Sequence, residues 1–354
     1  MFEFVQSWYK RYFTDPQASL LVVLLIVSFV IMYFMGGMLA PFFAAIIIAY
    51  MLEGSVSTLE TKNIPRLLAV NMVFVLFVTF LAFLVVVLLP IISRQASQFF
   101  QDLPGMVNDG QALLMKLPQQ YPEFITEESV NQVIVASTTA ISAMGQSILS
   151  FTLASVPVII SVLVYLVLVP LMVFLLLKDK SDIINWMFRF LPTDRHLINS
   201  LWQEMDAQIG NYIRGKVYEI IIIYLASYLL FKVLGLNYAS FLAIIVGLSV
   251  LIPYIGAAVV TVPVALVGYF QWGFDPSFIW LMAGYGVLQF LDGNVLVPVL
   301  FSDVVNLHPL AIIVSILVFG GLWGFWGIFF AIPLATLVKA LIYAWPTQAM
   351  EAAK

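Results

Sequence analysis

The stretch NYASFLAIIVGLSVLIPYIGAAVVTVPVALVGYFQWGF, residues 237–274, carries no charged side chain over 38 positions. As one straight helix it would extend about 57 Å, roughly twice the hydrocarbon thickness of a bilayer. It must therefore fold back, and SVLIPYIGAA supplies the break at Pro253 and Gly256. Each arm, about 13–15 residues, is shorter than the roughly 20 that a full crossing needs. A re-entrant or broken hairpin is the expected shape. Residues 309–344 pose the same length problem, and FGGLWGFWG (319–327) provides the bend there.

Composition agrees with a lipid setting. The chain is 63% hydrophobic and 10% charged, where a soluble domain carries about 25% charged residues. It has no cysteine, so it has neither a disulfide framework nor a thiolate metal site. A net charge of −4 argues against nucleic acid as a partner. The opening MFEFVQSWYKRYFTDPQASL precedes the first apolar run without a small-residue cleavage site, so that run is read as a retained span.

Further apolar runs cover 19–35, 38–52, 67–92, 151–177 and about 217–235. The fold class is all-α: a polytopic membrane protein with about eight helical membrane segments, broken or re-entrant in its C-terminal half. Five regions follow: three membrane helices in 1–92, an extracytoplasmic helical loop at 93–150, a fourth helix at 151–177, an amphipathic segment at 178–216, and a C-terminal membrane region at 217–345.

Basic residues orient the chain. Residues 178–216 hold Lys178, Lys180, Arg189, Arg195, Arg214 and Lys216, six of the fifteen. Lys62, Arg66, Lys10 and Arg11 lie on the same side, which places the N-terminus in the cytoplasm and 93–150 outside. Near-helical spacing of Ile183, Ile184, Met187, Leu191, Leu197, Leu201, Met205 and Ile209 suits helices lying at the cytoplasmic face. Pro104, Pro118 and Pro122 divide the outer loop into short helices. Both loops read first as connectors, with substrate capture as the alternative.

Polar residues inside the oily half are the candidates for function. QFLDGNVLVPVLFSDVVNLHP (289–309) brings Gln289, Asp292, Asn294, Asp303 and His308 among Pro298 and Pro309. A charge at the bilayer centre costs at least about 2.5–3.5 kcal/mol, so such groups persist inside a bundle or beside water. Gly293 lets the backbone turn, and Pro298 removes a donor and frees a carbonyl. Unwound carbonyls beside the Asp292 carboxylate suit a coupling-ion site for Na+ or H+. The competing reading makes Asp292 a helix cap at the interface. Glu219 lies three residues after Lys216 and reads first as its i,i+3 partner. His308, before Pro309, reads first as a hydrogen-bonded structural group and second as a proton carrier. LIPYIGAAVVTVPVA and LVPVLFSDVVNLHPLA share an apolar run broken by paired prolines, a loose hint of duplication. No HExxH, no GxGD-type aspartate pair, no GxSG and no Walker A motif occurs, so an enzyme is not expected.

Five stretches carry a resemblance: NYIRGK (211–216), LIPYIGA (251–257), DGNVLVPVLFS (292–302), NLHPL (306–310) and FGGLWGFWGIFFAIPLA (319–335). In this order they resemble the PerM branch of the autoinducer-2 exporter family, over nearly the whole chain. The resemblance implies a bacterial inner-membrane permease with about eight helical segments, re-entrant ones included. It also implies a homo-oligomer, a pentamer at the level of the family, and either export of a small signal or sodium/proton antiport. Family motifs map onto Arg214, Gly215, Pro253, Gly256, Asn294, Pro298, His308, Pro309 and Pro333, several of which shape backbone. The leading expectation is an ion-coupled secondary transporter for a small solute or ion, with no cofactor and with lipids as its surroundings. A passive oligomeric channel or a membrane scaffold is the alternative.

Overall fold

A computed structural model of the chain describes residues 16–115, 155–189, 196–253, 255–301 and 307–344, with isolated positions between 118 and 135. The short helices expected across most of 116–150, Asp303, and the terminal Lys10, Arg11 and Lys354 lie outside the described residues. Among the described residues the regular structure is helical and no strand occurs.

The first membrane helices are α1 (Pro16–Met35), α2 (Ala40–Glu60) and α3 (Arg66–Phe83). A π turn at Leu84–Leu88 carries α3 into α4 (Leu89–Leu114). Next come α5 (Ser155–Lys178), α6 (Lys180–Phe188) and α7 (His196–Leu234). The C-terminal region contains α8 (Ala239–Ser249), α9 (Ile255–Trp272), α10 (Pro276–Leu291), a π turn at Asp292–Leu296 and α11 (Val297–Phe301). It closes with α12 (Pro309–Phe329) and α13 (Ala331–Ala344). Prolines open several of these helices: Pro276 and Pro309 each follow an extended N-cap residue, where their missing N–H costs nothing.

Among the described residues six helices are long and apolar enough to cross a membrane, or seven if the α5–α6 pair, bent by 75°, is one span. Three shorter apolar helices accompany them, in keeping with the expected count of about eight. Side chains such as Phe34, Leu76 and Val233 point outward, as lipid-facing residues do.

Helix limits differ from the run limits in two places. The helix that begins at Arg66 continues through the π turn to Leu114, past residue 93 where polar residues begin. Likewise α7 is one helix of 39 residues, spanning the boundary at 216–217 without a break. Charge marks where a helix leaves the hydrocarbon, whereas its backbone hydrogen bonds continue into water unhindered. The hairpin of 237–274 turns at 250–253 as expected, but its arms are unequal: α8 has 11 residues and α9 has 18.

Helix α7 is the centre of the assembly, packing against α1, α2, α8, α10, α11 and α13. Its Tyr212 and Ile213 belong to one apolar core with α2, α11, α12 and α13, while Ile223 and Phe231 belong to a second with α4, α8, α9 and α10. A third core joins α2, α3 and α5. Residues 216–219 of α7 fall at the seam between the first two cores.

Candidate functional site

Two charged side chains occupy that seam. Lys216 Nζ donates to Glu219 Oε2 at 2.7 Å and to the Val250 carbonyl at 2.8 Å. Both side chains are almost fully buried, at 4% and 2% exposure. The ammonium also stands 5.3 Å from the centre of the Phe301 ring, within cation–π range. Gly215 makes this approach possible, because a Cβ there would lie 2.9 Å from the Phe301 ring and 3.2 Å from the Leu300 carbonyl. The i,i+3 pair read from the sequence is therefore present, deep inside the bundle. Burial of this kind survives only when each charge is matched and hydrogen-bonded.

Asp292 faces the same region from α10. It is the first residue of the π turn, a local widening frequently found at functional sites. Its Oδ1 atom is buried and accepts no hydrogen bond. The charges of Lys216, Glu219 and Asp292 act on one another, so the three groups form one electrostatic unit drawn from two helices. Tyr285, Gln289 and Asp292 follow at i, i+4 and i+7 along one helix face. Gln289 Nε2 donates to the Tyr285 hydroxyl at 2.8 Å, and Thr261 of α9 is a second partner of that hydroxyl. Ser227, two turns beyond Glu219 on α7, is fully buried with an unpaired hydroxyl.

The remaining sequence candidates lie elsewhere. Arg214 bonds Asn211 Oδ1 at 2.9 Å and crowds Gly210 beside Tyr50, whose hydroxyl donates to Asp206. Asn294 is exposed and returns its amide to the Phe290 carbonyl at 2.9 Å. Gly293 and Pro298 are exposed as well. His308 is the exposed N-cap of α12, with Nδ1 accepting from the Leu310 N–H at 3.2 Å. Pro309 opens that helix, and Pro333 is buried in the first turn of α13. Pro253 lies in the turn that separates α8 from α9, and Gly256 packs against Ser249.

Tyr285, Thr261, Phe301 and the Val250 carbonyl were not legible as site groups. For Tyr285 a signal existed, since it precedes Gln289 by one helical turn; the others arrive through tertiary packing. A second polar feature, also missed, is a cavity of roughly 340 Å³ lined by Asp102, Asp109, Asn237 and Gln271 among others. At its Asp102 wall that carboxylate accepts from the Tyr238 hydroxyl. Among the described residues no group of three or more His, Cys, Asp and Glu side chains could hold a metal ion.

Spanning helices, two hairpins and a charged centre sealed between apolar cores define a multi-pass helical membrane protein. The family model described as AI-2E family transporter matches residues 22–347, and the chain belongs to that family. It is 48% identical to the protein called permease PerM of Escherichia coli (strain K12), over 98% of both chains. YueF of Bacillus subtilis (strain 168), called a transport protein, is 28% identical over 89% of this chain and 86% of its own. YrrI of the same organism, similarly called, is 22% identical over 85% of each.

Proposed function

We propose that this protein is an ion-coupled secondary transporter of the bacterial inner membrane, with Asp292 as the group that binds the coupling ion. The observation that carries the reading is the buried, unpartnered Oδ1 of Asp292 in a π turn, beside the sealed Lys216–Glu219 pair. One ammonium and two carboxylates make a net charge of −1, which one proton or one monovalent cation neutralises. A neutral centre crosses the low-dielectric bundle interior at far lower cost than a charged one, so occupancy favours a rearrangement that an empty site resists. The solute is small, the protomers assemble as a homo-oligomer and the N-terminus faces the cytoplasm. Family membership supports transport as the activity.

Transport in sealed proteoliposomes containing a pH dye tests this. Proton movement coupled to sodium or to a solute, lost in Asp292→Asn with insertion and oligomer intact, is the expected result. Undiminished coupled flux in that variant would remove Asp292 from the mechanism. Ohmic currents with no coupled flux would replace the transporter with a channel.

A further inference from the structure

Lys216 touches three separate elements at once: Glu219 on its own helix, the Val250 carbonyl at the end of α8, and the Phe301 ring on α11. Val250 is the first residue of the turn at the tip of the α8–α9 hairpin. An ammonium has three donors, and these contacts engage two of them with oxygens. Asp292, whose charge and that of Lys216 act on each other, makes no ion pair with the ammonium in this arrangement, and its Oδ1 is unpaired.

Resting on the transport reading above, we infer that Lys216 is a tethered cation that links the proton on Asp292 to the position of the α8–α9 hairpin tip. With Asp292 protonated, the ammonium rests between Glu219 and the Val250 carbonyl and holds the tip against α7. When Asp292 releases its proton to water, leaving a carboxylate, the ammonium shifts toward it. The bond to Val250 opens, and the tip loses its attachment to the central helix. No covalent chemistry is involved; one proton leaves an oxygen and one hydrogen bond changes acceptor.

The groups around the centre fit this role. From α7 the titratable side chains are Lys216, Glu219 and Tyr212, whose ring is buried with its hydroxyl donating to the Phe329 carbonyl at 3.0 Å. From α10 and its C-cap they are Tyr285 and Asp292; α9 contributes the Thr261 hydroxyl, the C-cap of α8 the Val250 carbonyl and α11 the Phe301 ring. Lys216 is the only cation in this set. Glu219 Oε2 and the Val250 carbonyl, oxygens that a sodium ion would need, are already held by its ammonium, which favours a proton over sodium.

Gly256 makes the tip sensitive. Its backbone presses on Ser249 so tightly that a Cβ would stand 1.8 Å from the Ser249 carbonyl oxygen. The two arms therefore move as one unit, and the Val250 bond is a point of attachment between that unit and α7.

The chain has no cysteine, so one introduced thiol reports on the tip without background. Ile252→Cys, partly buried beside Val250, is labelled with a maleimide in purified protein across a pH series. Its rate is divided by that of Phe274→Cys, an exposed loop position, to remove the reagent's own pH dependence. The ratio is expected to rise about tenfold as pH increases, the equivalent of losing one hydrogen bond to a charged group. Asp292→Asn is expected to abolish the rise. So is the double variant Lys216→Met, Glu219→Gln, which removes both members of the hydrogen-bonded pair together. An equal rise in all backgrounds would overturn the link, as would a ratio that follows sodium at fixed pH. The readout needs no gradient. A flat ratio with coupled flux intact refutes this link alone, whereas lost coupling with the ratio intact refutes the transport reading.

Discussion

Gly256 and Gly327 are built against their own chains in the same way. A Cβ on Gly256 would lie 1.8 Å from the Ser249 oxygen, and one on Gly327 would lie 1.8 Å from the Phe319 oxygen. Each glycine stands just past a reversal in an apolar stretch too long for a single crossing. The second reversal occurs at Gly324, whose φ of 58° and ψ of −131° interrupt α12, a conformation open to glycine and strained for other residues. The two hairpins, α8–α9 and the folded α12, thus share one device.

Gly256→Ala and Gly327→Ala are expected to destabilise the protein by more than the usual overpacking cost of about 1–3 kcal/mol, because backbone atoms and not flexible side chains stand in the way. Gly286→Ala is the matched control, since nothing lies within 4 Å of its Cβ position. That change is expected to be neutral or stabilising by up to about 1 kcal/mol in a helix interior. Thermal unfolding of detergent-purified protein separates the two classes, and equal midpoints for all three would contradict the geometry.

Removing one member of the buried pair leaves the other charge unmatched. Lys216→Met or Glu219→Gln alone is expected to cost about 3–5 kcal/mol, and the double variant to recover most of it. A double-mutant cycle on unfolding free energy measures the coupling. Additive losses would mean that the two groups do not act as a unit.

Arg66 gathers three elements at the base of the third core. It meets Glu53 and Glu60 on α2 at 3.3 and 3.2 Å, and donates to the Leu177 carbonyl of α5 at 2.7 Å. Lys180 adds a contact to Glu53 at 3.0 Å. The carboxylates are partly exposed, so their share is small; the Leu177 bond, from a charged donor, carries about 1.5–3 kcal/mol. Arg66→Met is expected to lower stability by that order and to speed proteolysis at the α5–α6 bend. Arg66→Lys rescues little, since one ammonium lacks the forked donors that serve all three partners. Full rescue would show that charge alone suffices.

His308 tests the division between framework and site. His308→Ala is expected to cost about 1 kcal/mol through the lost cap, while His308→Asn keeps a capping oxygen and restores most of it. Coupled transport in His308→Asn is expected to match the native protein. Loss of proton coupling in a well-folded Asn variant would return the imidazole to the proton path.

Much of the architecture was legible because lipid imposes a simple demand: every backbone polar group is satisfied within its own helix, over a known length. The charge-free 38 residues at 237–274 could not be one helix, and Pro253 with Gly256 marked the turn. The Lys216–Glu219 pair was readable from its spacing. Its burial was not, because a sequence shows neighbours on one helix and not what covers them.

Asp292 was named as a candidate from its position beside glycine and proline, yet Asn294 and His308, chosen by the same argument, face outward. Which side of a helix meets the bundle depends on the packing of α10 against α7 and α9. The amino-acid sequence by itself determined a broken, multi-pass helical membrane protein, the spacing of its Lys216–Glu219 pair and the candidacy of Asp292. Only the tertiary structure decided that Lys216, Glu219, Asp292 and the Val250 carbonyl share one place. Contacts between helices far apart in the chain depend on how side chains fill the space between them, and that filling has no period along the sequence.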